Sequence, residues 1–316
     1  MEKPKLKVCI TGATGLVGRS LTAHCVAMRK FQVLALMRRP VLIAGAEHII
    51  IADQTSQTQW LATLIGVHVL VHTAARVHTM HDTDSDPITA FRTVNVAGTL
   101  NLARQAVAVG VKRFVYISSV KVNGESTQPG RAFVEAHTST SLDAYGVSKH
   151  EAELGLRQLS ADTGMEVVII RPPLVYGPGV KANFAALMRA VQRGWPLPLG
   201  AVHNQRSLVA LDNLVDFIVT CITHPQAANQ TFLVSDGQDL STTELVRGMA
   251  QAAGVPARLL PVPVWALQAG ASLLGKGDAV QRLCGNLQVD MSKARSLLGW
   301  VPPVSVEEGL RRAMAV

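Results

Sequence analysis

A tyrosine and a lysine stand four residues apart in Asp143-Ala-Tyr-Gly-Val-Ser-Lys149, where a helical pattern begins that continues to Gly164. Residues i and i+4 share one helix face, about 5–6 Å apart at Cβ. A free phenol has a pKa of about 10, and an ammonium about 4 Å away supplies roughly 4 kcal/mol at an effective dielectric of about 20, enough to lower that pKa by about two units. Tyr145 and Lys149 are therefore predicted to be an acid/base pair, although the same spacing is also common on solvated helices.

The N-terminal segment predicts the elements that would hold a nucleotide near this pair. Lys5–Thr11 is predicted to be a buried strand, followed by the turn Gly12-Ala-Thr-Gly15-Leu-Val-Gly18 and an amphipathic helix to about Met28. Strand, glycine-rich turn and helix form the context that a dinucleotide fingerprint requires. The first glycine allows the tight turn, the second lets backbone approach a pyrophosphate, and the third lets the helix pack on the strand. The phosphates would lie at the helix N-terminus, where free N–H groups favour negative charge.

The second predicted strand, Gln32–Met37, favours the phosphorylated cofactor. It ends in Arg38-Arg39-Pro40, and no carboxylate lies between Gly18 and Glu47. An acidic residue at this place would bind the ribose 2′-OH of NAD, whereas arginine suits the 2′-phosphate of NADP. NADP(H) is therefore favoured over NAD(H), the alternative being that the two arginines only form a solvated loop.

The next two predicted strands end in residues that suit a bound cofactor. A third strand, His48–Ala52, is followed by Asp53, which is placed to reach an adenine edge. A fourth, His68–His72, ends in Thr73-Ala-Ala75, whose small side chains let a cofactor pass close to the backbone.

A fifth predicted strand, Arg113–Ile117, ends in Ser118-Ser119, and a helix from Ile88 to Val109 with Asn95 precedes it. Ligands of open α/β sheets bind beyond the carboxyl ends of the strands. A serine there can hydrogen-bond a substrate hydroxyl or carbonyl, although by itself it is often only a strand terminator.

Together, the glycine turn, Ser119 and the Tyr145/Lys149 pair resemble the extended short-chain dehydrogenase/reductase family of NAD-dependent epimerases and dehydratases, in its nucleotide-sugar branch. Further matches, which extend the resemblance over nearly the whole chain, are Thr73-Ala-Ala75, Asn95 in Val-Asn-Val-Ala-Gly-Thr99, and Arg171-Pro-Pro-Leu-Val-Tyr-Gly-Pro178 after a sixth strand at Glu166–Ile170.

The resemblance implies an α/β fold, a Rossmann-type doubly wound parallel sheet with a smaller, interleaved C-terminal substrate domain. The dinucleotide-binding domain would span residues 1–178, and about 207–236 would return to it through a late strand at Thr231–Ser235. The substrate domain would consist of residues 179–206 and 237–316. Asp212 is expected to cap a helix within the returning segment.

The resemblance also implies roles for individual residues. Tyr145 would transfer a proton to or from a sugar oxygen, Ser119 would hydrogen-bond the same oxygen, and Lys149 would orient the nicotinamide ribose and keep Tyr145 near a useful pKa. Position Ser119, rather than Ser118, matches the catalytic Ser/Thr of the family. Residues expected to bind the cofactor are Gly12, Thr14, Gly15, Leu16, Val17, Gly18, Arg38, Arg39, Asp53, Thr73, Ala74, Ala75, Asn95, Ser118, Lys149, Pro172, Leu174 and Val175. Residues expected to bind the UDP-sugar, with arginine forks on its phosphates, are Ser119, Lys121, Asn183, Arg206 and Arg282.

One departure from the family narrows the reaction. Members that remove water across C5–C6 resemble Thr-Asp-Glu where this chain has Ser119-Val-Lys121, so 4,6-dehydratase activity is not expected. A UDP-hexose or UDP-N-acetylhexosamine 4-epimerase remains possible. Arg38-Arg39 favours a reductase of a UDP-4-keto-6-deoxy-N-acetylhexosamine, giving UDP-N-acetylquinovosamine for surface-polysaccharide (O-antigen) synthesis. So does the likeness of Lys121–Glu125, Val180–Phe184 and Leu233–Ser241 to bacterial surface-polysaccharide enzymes.

Composition restricts the other function classes. With 48% hydrophobic and 16% charged residues among 316, the chain can bury a large core. The net charge of +8 raises nucleic acid as a partner, but the basic residues are dispersed and aromatics are only 4%. No run of about 18 apolar residues could span a bilayer, and the N-terminus has no signal-peptide pattern, so a cytoplasmic enzyme without nucleic acid or membrane insertion is expected.

Other parts of the sequence bear on metal binding, cofactor sensing and assembly. The four cysteines are far apart, and the histidine-bearing segment 76–87 is predicted to be a solvated loop, so no metal is expected. A cofactor-sensing regulator on this fold would typically lack the Tyr/Lys pair. Family members often dimerise through two helices, here about 88–109 and 143–163, so a homodimer is expected. The face of the second helix would include Ala152, Leu156 and Leu159.

Overall fold

A computed structural model of the chain describes residues 5–51, 53–77, 86–139, 143–273, 275 and 277–315. Its strands are β1 Leu6–Thr11, β2 Phe31–Met37, β3 Glu47–Ile50, β4 Val69–His72, β5 Arg113–Ile117, β6 Glu166–Arg171, β7 Leu174–Tyr176, β8 Leu208–Ala210 and β9 Thr231–Leu233. Its helices are α1 Leu16–Ala27, α2 Leu61–Leu64, α3 Pro87–Phe91, α4 Thr99–Ala108, α5 Ala144–Thr163, α6 Ala182–Gln192, α7 Leu211–Thr223, α8 Thr242–Ala252, α9 Val264–Leu273, α10 Gly277–Cys284, α11 Ser292–Leu298 and α12 Val306–Met314. Within these described ranges, no helix has the length and apolarity needed to cross a bilayer.

Seven of the strands form one parallel sheet in the order β3-β2-β1-β4-β5-β6-β9. The strand order reverses between β1 and β4, which are hydrogen-bonded neighbours. A crevice opens at such a switch point, beyond the carboxyl ends of the strands, and ligands of open α/β sheets bind there. The predicted Rossmann-type fold is confirmed.

Helices cover both faces of this sheet because side chains alternate along each strand. Val8 and Ile10 of β1 pack in a core with Leu21 of α1 and Phe217 of α7. Cys9, between them, faces the opposite side of the sheet, which α4 and α5 cover. Strands buried on both faces have continuous apolar runs, here Val8–Ile10 in β1 and Val69–Val71 in β4.

A second hydrophobic core lies outside the large sheet. β7 and β8 form a two-stranded parallel sheet, and Tyr176, Phe184, Met249 and Leu310 pack together beside it from β7, α6, α8 and α12. The chain returns to the large sheet where β9 pairs with β6, so the two cores interleave in sequence as expected. The domain boundaries themselves stay a prediction.

The helix expected over 88–109 is present without a break from Pro87 to Ala108, with a π-helical segment at Arg92–Gly98 between α3 and α4. One local prediction is corrected. Asp212 does not cap α7: the N-cap is Ala210, because β8 runs directly into the helix, and Asp212 lies in the first turn. Its carboxylate instead accepts a hydrogen bond from Arg312 Nη1 at 2.8 Å.

The role expected for one face of α5, contact with a partner subunit, is also corrected. Ala152 and Leu156 are fully buried against the sheet, and Leu159 packs on the same core. That face is therefore used within the chain, and the homodimer stays a prediction.

Candidate active site

The glycine turn lies at the switch point between β1 and β4. Gly12 has φ +68°, and a Cβ there would lie 2.7 Å from the backbone nitrogen of Ala74. A Cβ at Gly18 would lie 2.2 Å from the carbonyl oxygen of Gly12, so α1 packs directly on the turn. Larger residues would push the turn away from β4 or α1.

The N-terminus of α1 can receive an anionic group. Gly15, its N-cap residue, is exposed and has no side chain with which to cap the helix, and Thr14 beside it is exposed as well. Leu16 and Val17 pack partly against the core, and no carboxylate occurs in this turn. Free N–H groups and the helix dipole suit a pyrophosphate, so these residues fit a dinucleotide.

Three polar residues expected at the cofactor's adenosine end are exposed beyond neighbouring strands. Arg38 and Arg39 follow β2, and Asp53 follows β3, which pairs with β2 in parallel. An oxygen of the Asp53 carboxylate accepts a hydrogen bond from the backbone nitrogen of Gln54 at 2.9 Å. All three side chains can reach a ligand at this edge.

Thr73, Ala74 and Ala75 follow β4 on the other side of the crevice. The Thr73 hydroxyl donates to the carbonyl oxygen of Thr11 at 2.6 Å, which joins the ends of β1 and β4. Both alanines are half-buried. This wall of the crevice is therefore fixed and made of small side chains.

Asn95 holds the loop after β4 against α5. Its Oδ1 accepts from the backbone nitrogen of Arg76 at 2.8 Å, and its Nδ2 donates to the Arg76 carbonyl and the Ser148 hydroxyl, each at 3.0 Å. The side chain is buried. The structure thus shows a positioning role for the amide, which was expected to bind cofactor.

His72 is a core residue. Its ring is fully buried and hydrogen-bonds Thr11 Oγ1 at 2.6 Å, Gln54 Nε2 at 2.9 Å and Thr99 Oγ1 at 3.0 Å. Burial, and to a lesser extent the charge of Lys149, lowers the pKa of His72 to about 3. The imidazole is therefore neutral at physiological pH.

Ser118 belongs to a buried ionic network. Its hydroxyl donates to Glu153 Oε1 at 2.6 Å. Both oxygens of Glu153 accept from Arg171, at 2.9 Å from Nε and 2.6 Å from Nη2, and both side chains are buried. Both donors of Ser118 are engaged, because its backbone nitrogen also donates to the Ile170 carbonyl at 2.8 Å, so Ser118 could meet a cofactor only as an acceptor. Pro172, next to Arg171, accepts a backbone hydrogen bond from Val120 at 3.0 Å.

Ser119 begins a short 3₁₀ turn, and an ion pair ties this turn to α5. The half-buried Ser119 hydroxyl accepts from the Lys121 backbone nitrogen at 3.2 Å. Lys121 Nζ pairs with the Asp143 carboxylate and lies 3.1 Å from Glu125 Oε1. Asp143 is also the N-cap of α5. The Lys121–Asp143 pair therefore brings the serine turn to the start of the tyrosine helix.

Tyr145 and Lys149 lie in the first two turns of α5, and the Lys149 ammonium is directed towards β5. Lys149 Nζ donates to the Ile117 carbonyl at 2.8 Å and lies 4.5 Å from the ring centroid of Tyr116. It lies 5.9 Å from the ring centroid of Tyr145, and Phe91 packs edge-on against the Tyr145 ring at 5.9 Å. The predicted pair is thus assembled beside the end of β5.

The pKa values differ from the expectation. Burial, with the Asp143 carboxylate as a second cause, raises the pKa of Tyr145 above its usual range. Burial lowers the pKa of Lys149 to about 7, although the Glu153 charge opposes this. The expected lowering of the Tyr145 pKa by Lys149 is not found in this arrangement, because the ammonium is directed at the Ile117 carbonyl and the Tyr116 ring. A second positive charge near the phenol is needed for proton exchange near neutral pH.

A cleft of about 820 Å³ adjoins the serine turn. It is lined by all five residues expected to bind the sugar nucleotide, namely Ser119, Lys121, Asn183, Arg206 and Arg282. Arg206 Nη1 donates to the Gly285 carbonyl at 3.0 Å, and burial lowers the pKa of its guanidinium. Leu174 and Val175 were expected to contact cofactor, and the structure shows them lining this cleft as well.

Most of the cleft wall was missed by sequence reasoning. Its apolar residues include Phe184 and Leu187 of α6, Leu245 of α8, Leu267 of α9 and Leu283 of α10. The spacing of Phe184 and Leu187 could have predicted a shared helix face. No local pattern indicates that α8, α9 and α10 converge on α6.

The residues that the structure describes include no group of three or more His, Cys, Asp or Glu side chains able to hold a metal ion. Cys9, Cys25 and Cys221 are buried, and burial raises the pKa of each thiol. Residues 78–85 of the predicted histidine-bearing loop lie outside the described residues.

Comparison with known proteins adds evidence independent of this geometry. The model of the NAD dependent epimerase/dehydratase family matches residues 8–235. A UDP-glucose 4-epimerase from Vibrio cholerae is 49% identical over 312 residues, which cover 98% of this chain and 95% of the relative. The solved UDP-N-acetylglucosamine 4-epimerase from Bacillus cereus has a TM-score of 0.80 at 20% identity, covering 98% of this chain and 99% of that one. The UDP-glucuronic acid 4-epimerase from Bacillus cereus in complex with NAD has a TM-score of 0.78 at 20% identity, covering 98% of each chain.

Proposed function

The chain belongs to the NAD dependent epimerase/dehydratase family, and we propose that it is a UDP-sugar 4-epimerase. As a nucleotide-sugar enzyme of this family it uses NAD or NADP for hydride transfer. The 4-epimerase was the second of the two reactions that the sequence left open. The Vibrio cholerae relative at 49% identity supports it over the 4-ketoreductase that the sequence favoured.

One observation carries this proposal: the serine turn and the arginines expected on the diphosphate line the same cleft. Ser119, Arg206 and Arg282 all belong to its lining. The Lys121–Asp143 pair brings the start of α5, and with it Tyr145, to the serine turn. A sugar near Ser119 with its diphosphate towards the arginines would therefore have a proton-transfer group beside it.

Tyr145 would accept the proton of the sugar C4 hydroxyl and return it when the opposite face is reduced. When bound, the dinucleotide would supply the hydride acceptor and, in its oxidised form, a positive charge near the phenol. Tyr145, whose pKa burial raises, needs such a charge to accept a proton. Ser119 would hydrogen-bond the same sugar oxygen, and Lys149 would orient the ribose.

Product analysis tests the proposal. The purified protein is incubated with UDP-glucose and with UDP-N-acetylglucosamine, and the C4 epimers are separated. Interconversion without net consumption of cofactor is expected, together with release of bound NAD or NADP on denaturation. Absence of interconversion, with NADPH consumed on addition of a UDP-4-keto sugar, would overturn it.

The 4-ketoreductase of a UDP-4-keto-6-deoxy-N-acetylhexosamine is the second candidate, and Arg38 and Arg39 favour it. Both are exposed where the adenosine ribose would lie, and no carboxylate occurs in the sequence between Gly18 and Glu47. NADP(H) is the cofactor proposed with this reaction, since a reductase must exchange its cofactor after each turnover. A function in O-antigen synthesis, a cytoplasmic location and a homodimer are proposed with either reaction.

A further inference from the structure

Helix α9 is apolar on both of its sides. Val264 and Leu267 pack against the second hydrophobic core. On the other side, Trp265, Ala269 and Leu273 recur every four residues, so they share one helix face. All three are exposed, Trp265 by 71% and Leu273 by 90%. A helix at the surface normally has a polar outer face, whereas this outer stripe of α9 (Trp265, Ala269 and Leu273) is apolar.

The sequence around the outer stripe has an unusual charge pattern. No Asp, Glu, Lys or Arg occurs from Leu259 to Gly275, in a chain in which 16% of the residues are charged. Basic residues adjoin this run at both ends, Arg258 before it and Lys276 after it. Exposed Trp and Leu, with Lys and Arg at the ends of the same apolar stretch of sequence, are typical of segments that anchor proteins in the interfacial region of membranes.

The neighbouring segments are strongly basic. Residues 179–206 and 245–289, which include α6, α9, α10 and much of the cleft wall, contain a single acidic residue, Asp278. The eight basic residues in the same two segments are Lys181, Arg189, Arg193, Arg206, Arg247, Arg258, Lys276 and Arg282. Such a charge excess attracts an anionic surface.

We propose that the outer stripe of α9 is a docking surface for an anionic lipid bilayer. The contact is peripheral, because ten helical residues span about 15 Å and the hydrocarbon layer is about 30 Å thick. A second copy of this chain is the poorer occupant, since like-charged basic segments of two chains, each of net charge +8, would then face each other.

Docking would hold the substrate cleft next to the membrane surface. Leu267, on the inner side of α9, lines the cleft, so the same helix contacts the cleft on one side and the bilayer on the other. The proposal does not depend on which reaction the cleft catalyses.

Binding to lipid vesicles tests the proposal. The full chain is sedimented with vesicles of phosphatidylcholine alone and of phosphatidylcholine with phosphatidylglycerol, at low and at high salt. We expect binding to the anionic vesicles only, with at least a tenfold loss at high salt because salt screens exposed charges. No binding to anionic vesicles at low salt would overturn the proposal.

Tryptophan fluorescence locates the contact. Trp60 and Trp300 are buried and Trp195 is exposed, so in a Trp195→Phe variant the exposed indole is that of Trp265. We expect a blue shift of its emission on anionic vesicles. An unchanged spectrum in the vesicle-bound variant would show that another surface binds, and would overturn the proposal.

Two variants test whether the outer stripe of α9, rather than any exposed apolar side chain, binds the vesicles. Trp265→Ser with Leu273→Ser should reduce vesicle binding at least tenfold, with unchanged thermal stability because both side chains are exposed. Ile65→Ser, at a side chain 67% exposed near α2, should bind as the unaltered chain does. Unreduced binding of the double variant, or self-association of the unaltered chain that the double variant abolishes, would overturn the proposal. Turnover of UDP-sugars without vesicles is measured in parallel and should be equal in all variants, so failure of the proposed function is seen separately.

Discussion

The junction of α5 with β5 and β6 buries its charged groups, whereas the cleft wall leaves Arg282 exposed and Arg206 half-buried. At the junction, Lys149, Glu153 and Arg171 are each buried. Arg171 donates two hydrogen bonds to the Glu153 carboxylate, and Lys149 donates to the Ile117 carbonyl. Removing charges from water is costly unless their partners are in place, so this arrangement tolerates little displacement.

The cleft wall has the opposite construction. Arg282 is exposed on α10, Arg206 is half-buried, and their neighbours Phe184 and Leu267 are apolar. Guanidinium groups that are not neutralised within the wall can bind the phosphates of a ligand.

Because of this difference, we expect substitutions at the junction and in the cleft wall to have different effects. A change at the junction should alter the chemical step or the stability of the fold, since its groups act on each other. A change in the wall should alter substrate affinity, since its charges act on the ligand. Variants in the two regions test this division.

Tyr145→Phe should lower kcat by about a thousandfold, because general acid/base groups contribute roughly 10²–10⁴. Cofactor binding should persist, since the ring remains. The measurement is steady-state turnover of a UDP-sugar. Tyr176→Phe is the control: that buried hydroxyl donates to Asp236 Oδ2 at 2.7 Å in the second core, so its loss should cost about 1 kcal/mol of stability with kcat nearly unchanged. Retention of a tenth of the activity by Tyr145→Phe would refute the assignment.

Glu153→Gln should reduce the free energy of unfolding by about 3 kcal/mol or more, because it leaves the Arg171 guanidinium buried without its charge partner. Urea denaturation with an unchanged m-value measures this. Glu151→Gln is a matched control two residues away on α5. Glu151 pairs with Arg92 at the surface, so its loss should cost less than about 1 kcal/mol. Equal losses of unfolding free energy in the two variants would show that burial of the ion pair does not determine its contribution to stability.

The sequence predicts the parts of the site that short motifs determine. Gly12 and Gly18 pack as expected, because a turn and the helix that follows it are specified by adjacent residues. Tyr145 and Lys149 share a helix for the same reason. The residue spacing does not predict that the Lys149 ammonium is directed at Ile117 and Tyr116, because that direction depends on how α5 packs on β5.

The cleft wall is less predictable for a related reason. The resemblance identified Arg206 and Arg282, and the structure brings them to one cleft. Phe184, Leu245 and Leu267 are ordinary apolar helix residues in the sequence, and only the packing of distant helices brings them together. The resemblance assigned Leu174 and Val175 to the cofactor, whereas in the structure both residues of β7 line the cleft.

Arg282→Gln should raise KM for the UDP-sugar about tenfold to a hundredfold, since hydrogen bonds to charged groups contribute about 1.5–3 kcal/mol. Because Arg282 is exposed, stability should not change, and kcat should stay within about threefold. Arg189→Gln is the control, since Arg189 is exposed on α6 and is not part of the cleft lining. A loss confined to kcat would contradict the division between wall and junction.

The smallest effect is expected at Tyr116, whose aromatic ring we predict to stabilise the positive charge of Lys149. Its ring centroid lies 4.5 Å from Lys149 Nζ, and among the described residues its buried hydroxyl has no hydrogen-bond partner. The other groups that face Lys149 are the Ile117 carbonyl on β5, Tyr145 and Glu153 on α5, and the neutral His72 on β4.

Tyr116→Leu removes the aromatic face that favours the ammonium, so the pKa of Lys149, already lowered to about 7 by burial, should fall further. The alkaline limb of the kcat/KM pH profile should therefore move to lower pH by about one unit, since a cation–π contact contributes about 0.5–2 kcal/mol. Tyr116→Phe keeps the ring and should leave the limb in place. Phe114→Leu, buried on the same face of β5, should lose comparable stability without moving the limb, which separates a packing defect from a loss of charge stabilisation. An equal shift in Tyr116→Phe, or in Phe114→Leu, would show that the ring of Tyr116 does not maintain the charge.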